Sequence, residues 1–312
     1  MSINRKPGRA LLIAMTSYLA WFGLIITPDP VRAEVLTGLT TTGVLETFDS
    51  ATPGIILTGV PVTGLQAGET LLGIDFRPAT GGLYGLGSTN RLYMINPTTG
   101  AATQVGSAGA FTLSGTAFGF DFNPTVDRIR GTSNTGQNLR LNPNDGTLFG
   151  TDTAVTYAAG DPNAGTTPRI VGSAYINNSP GAGTTTLFVI DSILNILATQ
   201  GSPGGSPVSP NTGQLFTIGA LGFDTSDLVG FDVSGLTGTA FASLTGPVAN
   251  NSQLFTIDLS TGAGTLVGTI GGGVTLAGLA SSVGAVPEPS TLILSLIGLG
   301  GLRLALCSRR RR

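Results

Sequence analysis

The chain predicts an all-β fold, a β-propeller of about five four-stranded blades closed by three N-terminal strands plus one C-terminal strand. Three observations lead there. A glycine-centred segment recurs at similar spacing, and further short apolar runs separated by turn residues follow each copy. The two ends of the repeat region then carry complementary parts of one more copy.

The recurring segment is clearest in Leu72-Gly73-Ile74-Asp75-Phe76-Arg77-Pro78 and Phe118-Gly119-Phe120-Asp121-Phe122-Asn123-Pro124. Val229-Gly230-Phe231-Asp232-Val233 repeats it, and Val171-Gly172-Ser173-Ala174-Tyr175 and Ala277-Gly278-Leu279-Ala280 are weaker copies. The glycines fall at 73, 119, 172, 230 and 278, intervals of 46, 53, 58 and 48 residues. After Gly73 come the strand-like pieces Leu83–Leu86, Arg91–Asn96 and Ala102–Gly106, separated by Thr80–Gly82, Ser88–Asn90 and Pro97–Gly100. Such separators are hairpin compositions. Later copies have Ile129–Gly131, Leu139–Asn142 and Thr147–Phe149; then Leu187–Ile190, Ile193–Leu197 and Gln214–Ile218; then Ala240–Leu244, Leu254–Asp258 and Gly264–Gly268. Four short strands per repeat of about 45 residues is the recurrence of a propeller blade.

Leu36–Leu39, Val44–Asp49 and Ile55–Gly59 match the second, third and fourth strands of a blade and lack a first. Thr275–Leu279 matches a first strand and lacks the others. Joining them pairs the two open edges of the ring. An open β-solenoid or a two-sheet sandwich is the competing arrangement. The third repeat is irregular: Thr151 to Pro168 and Gly201 to Pro210 are inserts, read either as functional loops or as flexible padding.

The ends read as targeting equipment. Arg5, Lys6 and Arg9 precede the apolar Ala10–Ile26, and Val31-Arg32-Ala33 presents small residues for cleavage before Glu34. That order makes residues 1–33 a signal peptide; a retained anchor is the other reading, since the run approaches the roughly 17 residues of a short span. Residues 34–284 are the propeller-like domain. In residues 285–312, Pro287, Glu288 and Pro289 precede an apolar run, Thr291–Leu302, then Arg303 and finally Arg309, Arg310, Arg311 and Arg312. The run is expected to be a C-terminal transmembrane helix with its arginines on the cytoplasmic side. The order Pro-Glu-Pro, apolar helix, arginine cluster resembles the PEP-CTERM sorting signal of Gram-negative bacteria. The resemblance implies an exosortase-type sorting enzyme as partner, a cut near Pro287–Pro289, and release to the cell surface or extracellular matrix.

Between those ends the body holds six arginines and no lysine against fifteen acids, a net charge of −9 where the whole chain is −2. Such a surface does not attract nucleic acid or anionic lipid at long range. The chain has no histidine, and its single cysteine, Cys307, lies in the tail. Ser-His-Asp and Cys-His catalysis, His/Cys zinc sites and a disulfide framework are thereby excluded, and no cofactor or metal is expected.

An enzyme here would depend on carboxylates. Asp75, Asp121 and Asp232 share one repeat position. They read either as an acidic cluster at one mouth of the channel, suited to Ca²⁺ or acid–base work, or as acceptors for backbone amides of following residues. Asp127, Arg128 and Arg130, with Arg140 one hairpin away, read as an anion-gripping patch or as cross-strand salt bridges. Asp161, Asn163 and Arg169 complete the polar candidates, their bland reading a solvated loop.

The repeats, together with Tyr157-Ala158-Ala159-Gly160-Asp161-Pro162-Asn163, resemble a bacterial secreted domain, the domain of unknown function 4394 family, across most of residues 36–280. The family carries no established activity, so the resemblance implies fold and location only. The expected function is non-enzymatic: a cell-surface or matrix protein binding polysaccharide or another surface protein, or a structural component. The alternative is a carboxylate-dependent hydrolase or lyase acting on extracellular sugars.

Overall fold

Short runs of Leu, Ile, Val, Phe and Thr, cut by Gly, Asn, Asp and Pro, form antiparallel hairpins, because no single run is long enough to bury a face alone. A computed structural model of the protein describes residues 33–281 with Met1 and Val283, and arranges these runs as five sheets. Blade 1 contains β1 (Val35–Thr40), β2 (Val44–Asp49) and β3 (Ile56–Pro61). Blade 2 contains β4 (Leu71–Phe76), β5 (Leu83–Gly87), β6 (Arg91–Ile95) and β7 (Ala102–Val105). Blade 3 is β8 (Phe118–Asn123), β9 (Arg128–Ser133), β10 (Asn138–Leu141) and β11 (Leu148–Thr151). Blade 4 is β12 (Thr156–Tyr157), β13 (Ile170–Tyr175), β14 (Leu187–Asp191), β15 (Ile196–Gln200) and β16 (Gln214–Ala220). Blade 5 is β17 (Val229–Val233), β18 (Ala240–Leu244), β19 (Gln253–Ile257) and β20 (Gly264–Thr269), and β21 (Leu276–Ala280) ends the described chain's strands.

The last strand joins the first blade. Its sheet has the order β21-β1-β2-β3, with Thr37 opposite Ala280, Gly38 opposite Leu279 and Leu39 opposite Gly278. This is the expected three-plus-one closure of a five-bladed propeller. Neither the solenoid nor the sandwich describes it.

The innermost strands β21, β4, β8, β13 and β17 meet around the axis, which explains the repeated glycine. A Cβ on Gly73 would fall 3.0 Å from Phe120 Cβ, one on Gly172 3.0 Å from Phe231 Cβ, and one on Gly230 2.6 Å from Leu279 Cβ; one on Gly119 would overlap Ser173. Glycine is the residue that lets two backbones approach this closely.

Away from the axis the sheets diverge and apolar side chains fill the wedges between them. Leu39, Ile74, Leu83 and Tyr93 pack between blades 1 and 2, Leu86, Phe118, Phe122 and Ile129 between blades 2 and 3. Val171, Ile190, Phe231 and Phe255 pack between blades 4 and 5, and Leu36, Phe48, Phe241 and Leu279 between blades 5 and 1. Each blade buries both faces near the axis, so β5, β14, β15 and β18 are fully buried, whereas the outer strands β3, β11 and β20 are mostly exposed.

Two local expectations change. Ile193–Asn195 is a turn and the strand begins at Ile196, because Asp191 Oδ1 accepts from Ile193 N (2.9 Å) and Leu194 N (3.2 Å) and Asn195 takes a positive φ of 53°. The Thr151–Pro168 insert is docked: β12 adds in parallel to the outer edge of β16, Thr156 opposite Gln214. The segments expected to be a signal peptide, a transmembrane helix and a sorting motif lie outside the described residues. Among the described residues no helix is long and apolar enough to cross a membrane.

Gly230→Ala tests the axial contact. Urea unfolding should show a loss of about 1–3 kcal/mol, the usual cost of overpacking. Gly59→Ala, where the nearest atom stands 3.8 Å away on an outer strand, should stay near wild type. Equal stability of the two variants would contradict the crowded axis.

Candidate functional site

Asp75 on β4, Asp121 on β8 and Asp232 on β17 are at most 1% exposed, and one carboxylate oxygen from each lies within 4.8 Å of the others. Blades 1 and 4 carry Ala280 and Ala174 at this position. Asp75 accepts from Phe76 N (2.6 Å) and, across the blade boundary, from Phe122 N (2.8 Å). Asp121 Oδ1 accepts from Tyr175 N (3.2 Å). Asp232 accepts from Val233 N (2.6 Å) and from Ser281 N and Oγ (2.6 and 2.8 Å). One amide from each of the five inner segments thus ends on three carboxylates. Both sequence readings are partly met: the aspartates accept backbone amides, three of them from the neighbouring blade, and they also converge. Burial, reinforced by the Asp232 charge, pushes the Asp75 carboxyl well above the usual range. Burial and then the Asp75 and Asp232 charges do the same to Asp121, while burial pushes Asp232 up to about 6.

The second feature is a cleft of about 540 Å³ between blades 3 and 4, lined by Arg128, Arg130, Arg140, Phe149, Gln200 and Asn211 among others. Its chemistry comes from a row of arginines. Arg130 and Arg140 face each other across β9 and β10, a like-charge pairing that repels unless a counter-ion intervenes. Asp152 supplies it, accepting from Arg130 Nη1 (2.6 Å) and from Arg140 Nε and Nη2 (2.8 and 2.7 Å). The Arg130 guanidinium, 2% exposed, is completed by Asn138 Oδ1 (2.7 Å) and Asn211 Oδ1 (2.6 Å). Asn211 follows the Gly201–Pro210 insert, so the insert that breaks the third repeat forms one wall of the cleft.

Arg128 differs from these two. It makes no ion pair with a carboxylate among the described residues, and its guanidinium lies over the half-exposed Phe149 ring, 4.4 Å from the centroid. Nη1 donates to Asp127 O (2.8 Å), whereas no hydrogen bond joins Nε to any described residue. Facing it in the same cleft, Gln200 Nε2 donates to Pro210 O (2.8 Å) and its buried Oε1 has no partner.

The remaining candidates lie elsewhere. Asp127 pairs with Arg77, whose Nε donates to Oδ1 at 2.8 Å, tying blade 3 to blade 2. Asp161 pins the insert by accepting from Thr217 N (2.7 Å) and Oγ1 (2.8 Å), while Asn163 Nδ2 donates to Thr217 Oγ1 (2.9 Å). Arg169 pairs with Asp227, which also accepts from Ser192 Oγ (2.7 Å) and Asn134 Nδ2 (3.1 Å) at the opposite end of the inner strands. Sequence reasoning missed Phe149, Asp152, Gln200 and Asn211. Phe149 had a signal, an aromatic beside Leu148 on a strand where alternation leaves one of the pair facing water; Gln200 and Asn211 had none.

Asp152→Asn should cost roughly 3–5 kcal/mol in chemical denaturation, because it leaves a buried guanidinium without its counter-ion. Adding Arg130→Met to that background should recover part of the loss. A neutral Asp152→Asn would mean that Arg130 is not held as described.

The model of the family described as Domain of unknown function (DUF4394) matches residues 44–280. No curated protein matches the chain. Similar solved structures include hydrazine synthase of Kuenenia stuttgartiensis, at 13% identity and TM-score 0.37, covering 67% of this chain and 53% of that one. The dihydro-heme d1 dehydrogenase NirN in complex with DHE aligns at 13% identity and TM-score 0.35, covering 76% and 44%. A protein from Lactobacillus plantarum aligns at 15% identity and TM-score 0.38, covering 77% and 67%. The chain spans about half the length of the first two.

Proposed function

The chain belongs to the family described as Domain of unknown function (DUF4394), and from that premise we propose that it is an exported, non-enzymatic binding protein of the cell surface or extracellular matrix. Its ligand is a polysaccharide that presents isolated carboxylates and hydroxyls to the cleft between blades 3 and 4. The observation that carries this is Arg128: a guanidinium held flat on Phe149, without a carboxylate partner, at the side of a ligand-sized cleft. A stacked arginine is pre-organised for a carboxylate. A densely charged polyanion fits less well, since the body carries −9 and repels it at long range.

The enzymatic alternative finds less support. A glycosidase of the common kind needs two carboxylates flanking the scissile bond, and no aspartate or glutamate lines this cleft among the described residues. The nearby Asp152 is engaged by two arginines and cannot serve as a general acid.

Export follows from the two ends. Residues 1–33 act as the signal peptide, and β1 begins at Val35, directly after the expected cleavage before Glu34. The tail of residues 285–312 holds the precursor in the membrane through its helix until an exosortase-type enzyme cuts near Pro287, Glu288 and Pro289. The mature body then reaches the cell surface or matrix.

Titration of the purified protein with a uronic-acid-containing oligosaccharide and with its neutral counterpart tests the ligand. The acidic sugar should bind more tightly, and Arg128→Ala should weaken it about 10- to 100-fold, as loss of a charge-assisted hydrogen bond does. Equal binding of both sugars, or an unaffected variant, would remove the ligand assignment. For export, mass spectrometry of the surface fraction should find chains starting at Glu34 and ending near Pro289. An intact chain in the cytosol would overturn that part.

A further inference from the structure

We propose that the three axial aspartates hold one divalent cation of the calcium class, enclosed where the five inner strands meet. The oxygens can be counted. Asp75, Asp121 and Asp232 present six, and five of them accept the amides of Phe76, Phe122, Tyr175, Val233 and Ser281. The sixth, Asp121 Oδ2, is fully buried and has no hydrogen-bond partner. It belongs to a side chain whose carboxylate lies in the cluster, with all three groups within 4.8 Å. The fold satisfies every amide and leaves one acceptor over.

Charge points the same way. Three buried carboxylates this close need a counter-charge, since an unpaired buried ion costs several kcal/mol. The ion pairs among the described residues use Asp127, Glu69, Asp152 and Asp227, and none reaches the axial aspartates. Arg130 sits opposite Asp121 in the strand register, yet its guanidinium is turned to Asp152, Asn138 and Asn211. Amide dipoles soften the charge without cancelling it.

Donor chemistry selects the ion. The ligands are oxygens alone, which favours a hard cation. Oxygens all within 4.8 Å of one another fit around one ion at Ca–O distances, since 4.8 Å is about twice such a distance. The glycine-lined axial void of about 10 Å³ lies two residues before the aspartates on the inner strands and touches none of them, so the carboxylates themselves are the ligands. Because each aspartate is at most 1% exposed, the ion is enclosed during folding and stays bound through purification.

Elemental analysis of the full-length protein, purified without chelator, tests this. About one calcium per chain is expected, with a melting temperature about 5–10 °C higher in 1 mM Ca²⁺ than after unfolding and refolding in EDTA. Asp121→Asn should lose the metal and melt alike in both. Should that variant not fold, the refolding yield of the wild type in Ca²⁺ against EDTA gives the same answer. Arg128→Ala should keep its metal, which separates this site from the cleft. A metal-free wild type indifferent to both additives, or an Asp121→Asn that retains its ion, would overturn the proposal; the first result would mean that shared protons alone neutralise the cluster.

Discussion

Five strands converging on one axis leave almost no space between their backbones, and the rest of the molecule accommodates that crowding. The inner strands carry glycine where they come closest, since a Cβ at Gly119 or Gly230 would strike the next strand. Three residues further along, each presents an amide that points to the axis. Buried amides must be paired, and the pairing comes from Asp75, Asp121 and Asp232. Five carboxylates would place five charges in one buried spot. Three suffice, because a carboxylate has two oxygens: Asp75 and Asp232 each serve their own strand and the next. Ala174 and Ala280 stand where a fourth and fifth aspartate would add charge without a further amide to satisfy.

Closure follows from the same economy of edges. A ring built from five complete hairpin meanders would hold its first and last blades together by side-chain packing alone. Placing β21 beside β1 moves the seam inside a sheet, where ladder hydrogen bonds cross it. Glu34 adds a tie across the blade 5–blade 1 boundary, its carboxylate accepting from Ser234 Oγ (2.6 Å) and Thr237 Oγ1 (2.8 Å). With the ring locked, irregularity is tolerated in one sector. Blade 4 takes both inserts: Asp161 pins the first against Thr217, and the second, ending at Asn211, forms a wall of the cleft.

The architecture was legible in the sequence because crowding imposes a rule: a Cβ at Gly119 or Gly230 would strike the next strand and one at Gly73, Gly172 or Gly278 would press on it, so glycine recurs visibly. Turn chemistry was legible where Gly or Asn must take a positive φ. It failed at Ile193–Asn195, where an apolar run hides a turn made by the Asp191 side chain. The site was half legible. Arg128, Arg130 and Arg140 lie together as expected, since adjacent strands of one hairpin bring them side by side. Asp127, Asp161 and Arg169 do not join them, because their partners, Arg77, Thr217 and Asp227, lie 50 or more residues away and leave no local pattern.

A body with only six arginines gives unusual weight to how each is used. Arg77 and Arg169 fasten blade to blade, Arg130 and Arg140 share Asp152, and Arg91 lies 3.8 Å from Glu69. In each of these a carboxylate of the fold is near, and the positive charge is absorbed by the structure. Arg128 sits on an aromatic ring at the side of the cleft; the exposed Asp145 feels its charge but forms no ion pair with it. A partly exposed ion pair and a stacked aromatic ring are each worth up to about 1 kcal/mol, so Phe149 holds Arg128 about as well as an acid of the fold would and leaves its charge unpaired. Under the proposed function, the carboxylate that Arg128 does not bind within the chain is the one the ligand brings.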